Sequence, residues 1–319
     1  MAKVAVELDH ALTRRRRDGT PGTTMPRIIA RGDDWAVADV VCTCGPHDHP
    51  YEERHNRYVI AIVLAGSFQY RSSVGRGLMT PGSLMLGNYG DCFECGHQHG
   101  EGDRCVSFWY APDYFERLAA DAGARRSDTR FKAPSLPPLR ALSPLTVRAG
   151  VGAGAGVSLS ADARGIAGVA GVLWEELAIG LAAQTVKLAS GVLHSANANG
   201  LPLNAEARVT RAVRAIDRHP DAPLTLGQLA RNAGLSPYHF LRTFKSLTVI
   251  TPHQYVLRAR LRNAAWRLAT ETDKVLDVAL DSGFNDVSNF NHAFRAEFGL
   301  SPRTFRGTWL RGAGRCAFE

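Results

Sequence analysis

The chain has 319 residues, 45% hydrophobic and 21% charged, a globular composition on the scale of two or three domains that excludes a disordered, collagen-like or disulfide-scaffold protein. The formal net charge of +8 is unevenly placed: residues 205–311 hold 16 Lys/Arg against 9 Asp/Glu, whereas residues 1–204 hold 21 against 20. A basic module is joined to a nearly neutral one, and the basic module calls for a polyanionic partner without saying which.

Residues 1–26 read as a loose arm, with Arg14–Arg17 as a solvated charge run. No N-terminal apolar stretch resembles a signal peptide, and the most apolar stretch, 166–193, carries Glu175 and Glu176 near its middle. A cytoplasmic protein with no membrane partner is the expectation. From Arg27 to Tyr110 the runs are short, β-branched and aromatic: 35–42, 57–64, 67–71 and 106–110, punctuated at Ala65-Gly66 and Pro81-Gly82. They predict a small antiparallel sandwich or barrel, the core of an N-terminal domain over 27–132.

Within this β region lie five of the six cysteines and five histidines. Cys42-Thr-Cys44 is followed by His47, His49, Glu53 and His55; Cys92-Phe-Glu-Cys95-Gly-His97-Gln-His99 precedes Cys105. Strand alternation puts Cys42 and Cys44 on one face, and Cys95 and His97 on one face of another strand, away from Cys92. If those faces meet, Cys42, Cys44, Cys95 and His97, with Cys105 able to replace one of them, form a ligand set for Zn²⁺ or another divalent or soft ion. Redox sensing through the same thiols, and plain packing of small core cysteines, are the competing readings. Cys316 is solitary and is assigned no role.

Pro112–Gly123 predicts a helix, with Pro112 in its first turn and Gly123 at its end. Residues 133–160 are rich in Pro, Gly and Ala and read as an irregular stretch within a connector over 133–204. A long helix is expected over 162–194, where Val169, Val172, Leu173, Leu177 and Leu181 recur at helical spacing. That stripe either packs on its own domain or pairs two copies as a homodimer. Residues 195–202 form a polar linker, the predicted boundary of a C-terminal domain over 205–311.

The C-terminal domain contains an internal repeat. Leu226, Leu229, Ala230, Gly234 and Leu235 match Val275, Val278, Ala279, Gly283 and Phe284 at an offset of 49. Phe240, Phe244, Pro252 and Tyr255 match Phe290, Phe294, Pro302 and Phe305 at an offset of 50. In the first copy Thr225 and Gln228 form a capping box, Gly234 ends the helix, and Ser236 and Pro237 start the next. Two helices joined in this way are a helix-turn-helix, whose second helix enters a major groove. A helix from Pro252 to about Thr270 spans roughly 28 Å and separates the copies by about one DNA turn.

Residues 208–306 resemble the DNA-binding domain of the AraC/XylS family of transcription regulators. The resemblance rests on Leu226–Lys245 and Ala279–Pro302. One departure is Val249, which stands where the second copy has Gly299. The resemblance implies an α+β protein: a β-rich, cupin-like sensor domain, a helical connector, and an all-α domain with two helix-turn-helix motifs. It implies that Tyr238, Leu241 and Arg242 read bases from the first recognition helix, and Val287, Ser288, Asn289 and His292 from the second. Lys245, Arg295, Arg303 and Arg306 fit phosphate contacts. The implied partners are operator DNA, RNA polymerase and an effector. No catalytic constellation stands out. A rival is a DNA-repair methyl acceptor, since some such proteins join a four-cysteine zinc domain to this type of helix-turn-helix pair. A regulator sensing an organic effector or an oxidant is a second alternative.

Overall fold

A computed structural model describes residues 3–48, 52–124, 129–154, 174–191 and 204–314. It begins with a helix, α1 (Lys3–Asp18), where the sequence suggested a loose arm. Leu8 and Leu12, four residues apart, share one helix face and are buried with Ala65. Three arginines in the last turn oppose the negative end of the helix dipole. Arg15 also donates to Asp48 at 2.7 Å and to the Thr43 carbonyl, so the charge run is partly anchored.

Among the described residues ten strands follow: β1 (Thr24–Arg31), β2 (Trp35–Cys42), β3 (Glu52–Arg54), β4 (Tyr58–Gly66), β5 (Phe68–Ser72), β6 (Gly75–Met79), β7 (Leu84–Gly87), β8 (Cys92–Gly96), β9 (Asp103–Tyr110) and β10 (Ser135–Leu136). They form two antiparallel sheets, ordered β1-β2-β9-β4-β7-β10 and β3-β8-β5-β6. Alternation divides the central strands of the larger sheet between two cores. Val59, Ala61, Val63 and Cys105 face Phe68, Tyr70 and Met79 of the smaller sheet. Ile60, Ile62, Val106, Phe108 and Tyr110 pack on the other side against helices. With both faces covered, β4 is buried almost throughout, which explains its unbroken apolar run.

The covering helices are α2 (Pro112–Asp121), α3 (Ser143–Gly154) and α4 (Trp174–Gly191). Helix α3 occupies a stretch that the composition marked as irregular. Its glycines weaken helix propensity, but Val147, Ala149, Val151 and Ala153 are buried, and packing overrides propensity. The expected 162–194 helix is seen as α4; Val169, Val172 and Leu173 lie outside the described residues. Leu177 and Leu181 are fully buried in the core of this domain, and the Tyr110 hydroxyl donates to the Ala178 carbonyl at 2.8 Å. The described part of the stripe is therefore intradomain core, not a surface left for a second copy. No helix among the described residues is long and apolar enough to cross a membrane.

The C-terminal domain comprises α5 (Ala205–Arg218), α6 (Leu226–Asn232), α7 (Pro237–Thr248), α8 (Pro252–Thr270), α9 (Val275–Asp281), α10 (Val287–Phe298) and α11 (Pro302–Gly314). The two copies bury equivalent residues: Leu229, Ala230, Phe240, Phe244 and Tyr255 in one, Val278, Ala279, Phe290, Phe294 and Phe305 in the other. Neither core is made by this domain alone. Leu78 of β6 enters the first, and Val147 and Val151 of α3 enter the second. Arg258 donates to the Pro138 carbonyl, and Ser143 to Glu297.

Both recognition helices end in the same way. Gly299 closes α10 with φ 76°, and Val249 closes α7 with φ 67°. The departure from glycine leaves the geometry intact but puts a β-branched residue in the left-handed region, where its Cβ crowds the following carbonyl. Val249→Gly is expected to stabilise the protein by about 1 kcal/mol and Gly299→Val to destabilise it by as much or more, read by thermal or urea unfolding.

Candidate nucleic-acid interface and thiol centre

The geometry of each reading helix starts at its cap. Thr225 accepts from the Gln228 amide at 3.2 Å and the Gln228 side chain reaches back to the Thr225 amide, the box expected from sequence. Gly234 (φ 62°) and Gly283 (φ 86°) end the supporting helices α6 and α9. The next amides, Leu235 and Phe284, then bond back to the Ala230 and Ala279 carbonyls at 3.0 and 3.2 Å. The turns are thus superposable in their hydrogen bonding. Helix α7 is capped by Ser236 on the His239 amide, and α10 by Asp286 on the amides of Ser288 and Asn289.

With Phe240, Phe244, Phe290 and Phe294 facing inward, the opposite faces of α7 and α10 remain open. On α7, Tyr238 is 69% exposed, Arg242 and Lys245 are exposed, and Leu241 is half-buried. On α10, Ser288, Asn289, His292 and Arg295 are exposed, while Val287 is half-buried in the first turn. Arg303 is exposed on α11. Arg306 differs: it is half-buried, and its Nε and Nη2 are buried without a hydrogen-bond partner, a poor placement for a phosphate contact. Nothing among the described residues of the β domain covers the open faces.

The thiol centre lies at the Cys42 end of the space between the sheets. Cys42 and Asp103 are paired across β2 and β9, which sets their side chains side by side. His97, just beyond β8, donates through Nε2 to Asp103 Oδ1 at 2.7 Å. One ligand atom from each of Cys42, His97 and Asp103 lies within 4.8 Å of the others, and all three residues are buried. Cys44 and His97 are hydrogen-bonded to Cys42, and Cys105 donates to Asp103 Oδ2 at 3.2 Å. Cys95 feels the charges of Asp103 and Cys42 but stands outside the three-residue group. Asp103 was missed from sequence. The signal available was its place two residues before Cys105, on the same face of one strand.

The other imidazoles go elsewhere. His55 stacks on Phe93 at 3.9 Å between ring centroids and bonds Tyr70 at 3.0 Å, a satisfied core histidine. His47 and Glu53 are exposed, His99 is half-buried, and His49 lies outside the described residues.

The centre is electrostatically polarised. The hydrogen bond to Cys44, reinforced by burial, pushes the Cys42 thiol far up; the same bond, aided by the Arg15 charge, holds Cys44 below its ordinary value. Burial pushes Cys95 and Cys105 up, and the Asp103 charge adds to it. Burial alone would lower His97, but hydrogen bonds with Asp103 and Cys42 outweigh it and raise His97 to about 9. A raised histidine contributes stability that is complete below its unfolded value of about 6.5 and is lost as pH rises through about 9. Metal-free protein is therefore expected to lose up to about 3 kcal/mol between those limits, and His97→Gln to flatten that slope in thermal melts taken across the range.

Comparison with known proteins bears on the helical half. The helix-turn-helix domain family matches residues 229–308. Regulatory protein SoxS of Salmonella typhimurium is 34% identical over 91 residues, 28% of this chain and 85% of SoxS. Probable transcriptional regulator LumQ of Photobacterium leiognathi is 37% identical over 91 residues, 28% of this chain and 37% of LumQ. Among solved structures, the DNA-binding domain of AdpA in complex with a target DNA is 28% identical, covering 33% of this chain and 94% of that one, with a TM-score of 0.32. Two capped helix-turn-helix units with open reading faces define a DNA-binding transcription regulator. The chain belongs to the AraC/XylS family of such regulators.

Proposed function

We propose that this regulator reads a specific operator through α7 and α10 and answers to a metal ion held in its N-terminal domain. The observation that carries the DNA half is the paired open face of the two recognition helices. Tyr238, Leu241 and Arg242 are assigned to bases from α7, and Val287, Ser288, Asn289 and His292 from α10. Arg fits guanine bidentately, Asn fits adenine, and Leu or Val touches a thymine methyl. Lys245, Arg295 and Arg303 are assigned to phosphates. RNA polymerase is the partner through which operator binding would act.

The observation that carries the sensory half is the buried Cys42–His97–Asp103 group. Sulfur, imidazole nitrogen and carboxylate oxygen form a set suited to Zn²⁺ or a similar divalent ion, with Cys44 placed to supply a fourth ligand. The methyl-acceptor alternative is less well supported. Cys42 and Cys105 are buried, whereas a methyl acceptor needs a thiolate open to DNA.

Selection from a random-oligonucleotide pool with the full chain tests the DNA half. A defined consensus is expected; Arg242→Ala should cost about 1–3 kcal/mol on it and relax one base position. Lys245→Ala should weaken all sequences alike and flatten the salt dependence. No enrichment would refute specific reading. Elemental analysis of protein purified without chelator or a metal-binding tag tests the other half. One zinc or related ion per chain is expected, lost in Cys42→Ser and in Asp103→Asn but kept in Cys92→Ser. A folded, reduced protein that takes up no metal would end the metal reading.

A further inference from the structure

The two ends of one loop form the metal-ligand group, and the middle of that loop grips the DNA-binding domain. His97 and Asp103 bracket residues 98–102. Arg214, on α5, inserts its guanidinium against this loop. Nη1 and Nη2 donate to the Glu101 carbonyl at 3.1 and 3.2 Å, Nη2 also to the Gly102 carbonyl at 3.4 Å, and Nε to the Ser67 hydroxyl at 3.1 Å. Each of these acceptors belongs to the N-terminal domain. The approach is close: a Cβ on Gly100 would meet the Arg214 guanidinium carbon at 2.1 Å, so the guanidinium would have to move. Gly102 is itself fixed, with φ +65° and the Cys42 carbonyl 2.8 Å from where its Cβ would stand.

We propose that Arg214 is a latch that reports the state of the Cys42–His97–Asp103 centre to the DNA-binding domain. The proposal rests on the metal reading given above. The latched arrangement is the one in which His97 Nε2 bonds Asp103 directly. A metal ion that takes Nε2 and an Asp103 oxygen replaces that bond, so both ends of the loop must turn towards the ion. The carbonyls of Glu101 and Gly102, the second of them adjoining Asp103, then leave the positions that Arg214 fits. Metal and latch thus favour different arrangements of one loop, and each must weaken the other by the same factor. Loading loosens α5, which carries Val209, Val213 and Ile216 into the core of the first helix-turn-helix. The recognition helix α7 packs on that core, so its freedom to meet DNA changes with occupancy.

The test uses the full chain and Zn²⁺ alone. Zinc affinity is measured by competition with a chromogenic chelator for the wild type, Arg214→Ala and Gly100→Ala. The glycine variant displaces the same guanidinium from the loop side, so a folding defect in one variant leaves the other to decide. Both variants are expected to bind zinc about 5- to 150-fold more tightly than the wild type. Amide exchange of residues 205–218 should rise on zinc loading in the wild type and be already high, and insensitive to zinc, in the variants. Wild-type protein that binds zinc while both variants bind it equally or more weakly would overturn the latch and leave the metal site standing. Wild-type protein that binds no zinc would overturn the metal reading and the latch with it.

Discussion

The register of β2 against β9 is the constraint on which the rest of this molecule depends, and one buried ion pair holds it. Arg104 is fully buried; its Nε and Nη2 donate to the two Asp39 oxygens at 2.9 Å each, and Nη2 also reaches the Ala153 carbonyl at 3.3 Å. A slip of one residue would turn every side chain of β9 to the other face. It would carry Asp103 and Cys105 out of the space between the sheets and drive Arg104 into it. An apolar pair of similar volume can match such an ion pair in stability, whereas loss of one partner leaves a buried charge costing about 3–5 kcal/mol. The pair is therefore better understood as fixing which arrangement forms than as adding to how firmly it is held. Because Ala153 ends α3, the same guanidinium aligns the helix whose Val147 and Val151 complete the second helix-turn-helix core.

That shared core changes what the two domains are. The first helix-turn-helix borrows Leu78 from a strand, and the second borrows two valines from α3. Each reading unit leans on a different part of the β domain, through β6 in one case and α3 in the other. A change within the β domain can therefore act on the two recognition helices unequally. Arg214 belongs to the first unit only, so the latch proposed for it would act on α7 before α10.

The helical half was legible in the sequence because its determinants are local. A capping box spans four residues, a turn glycine acts where it stands, and the 49- and 50-residue offsets expose the duplication without any knowledge of packing. Even the exception at Val249 was legible, since the copy supplies the comparison. The β half was legible only in part. Cys42 and Cys44 announced themselves by residue type, and β2 was found at its full length because seven of its eight residues are apolar or aromatic, Asp39 being the exception. Helix α1 was hidden because its arginines look like solvated charge until Asp48 and Thr43, from a distant loop, meet Arg15. Helix α3 was hidden because glycine and proline speak against a helix that burial then enforces. Arg214 could not be found at all, since its acceptors are backbone carbonyls more than 100 residues away.

Asp103 shows what residue type alone conceals about chemistry. A site of thiols only would favour the softest ions, and a cluster of close thiols would favour oxidation to a disulfide. A carboxylate bonded to the imidazole alters both expectations. It moves the ligand set towards borderline divalent ions, and it stabilises a positive His97 in the ion's absence, so that the buried centre carries compensating charge whether or not metal is bound. Metal entry would then expel the histidine proton, and loading would couple to pH as well as to the loop. On the metal reading, the centre would have two alternative arrangements, one closed by a proton and one closed by a metal ion. The 98–102 loop would differ between them, because the same two side chains at its ends bond each other in the first and would share an ion in the second.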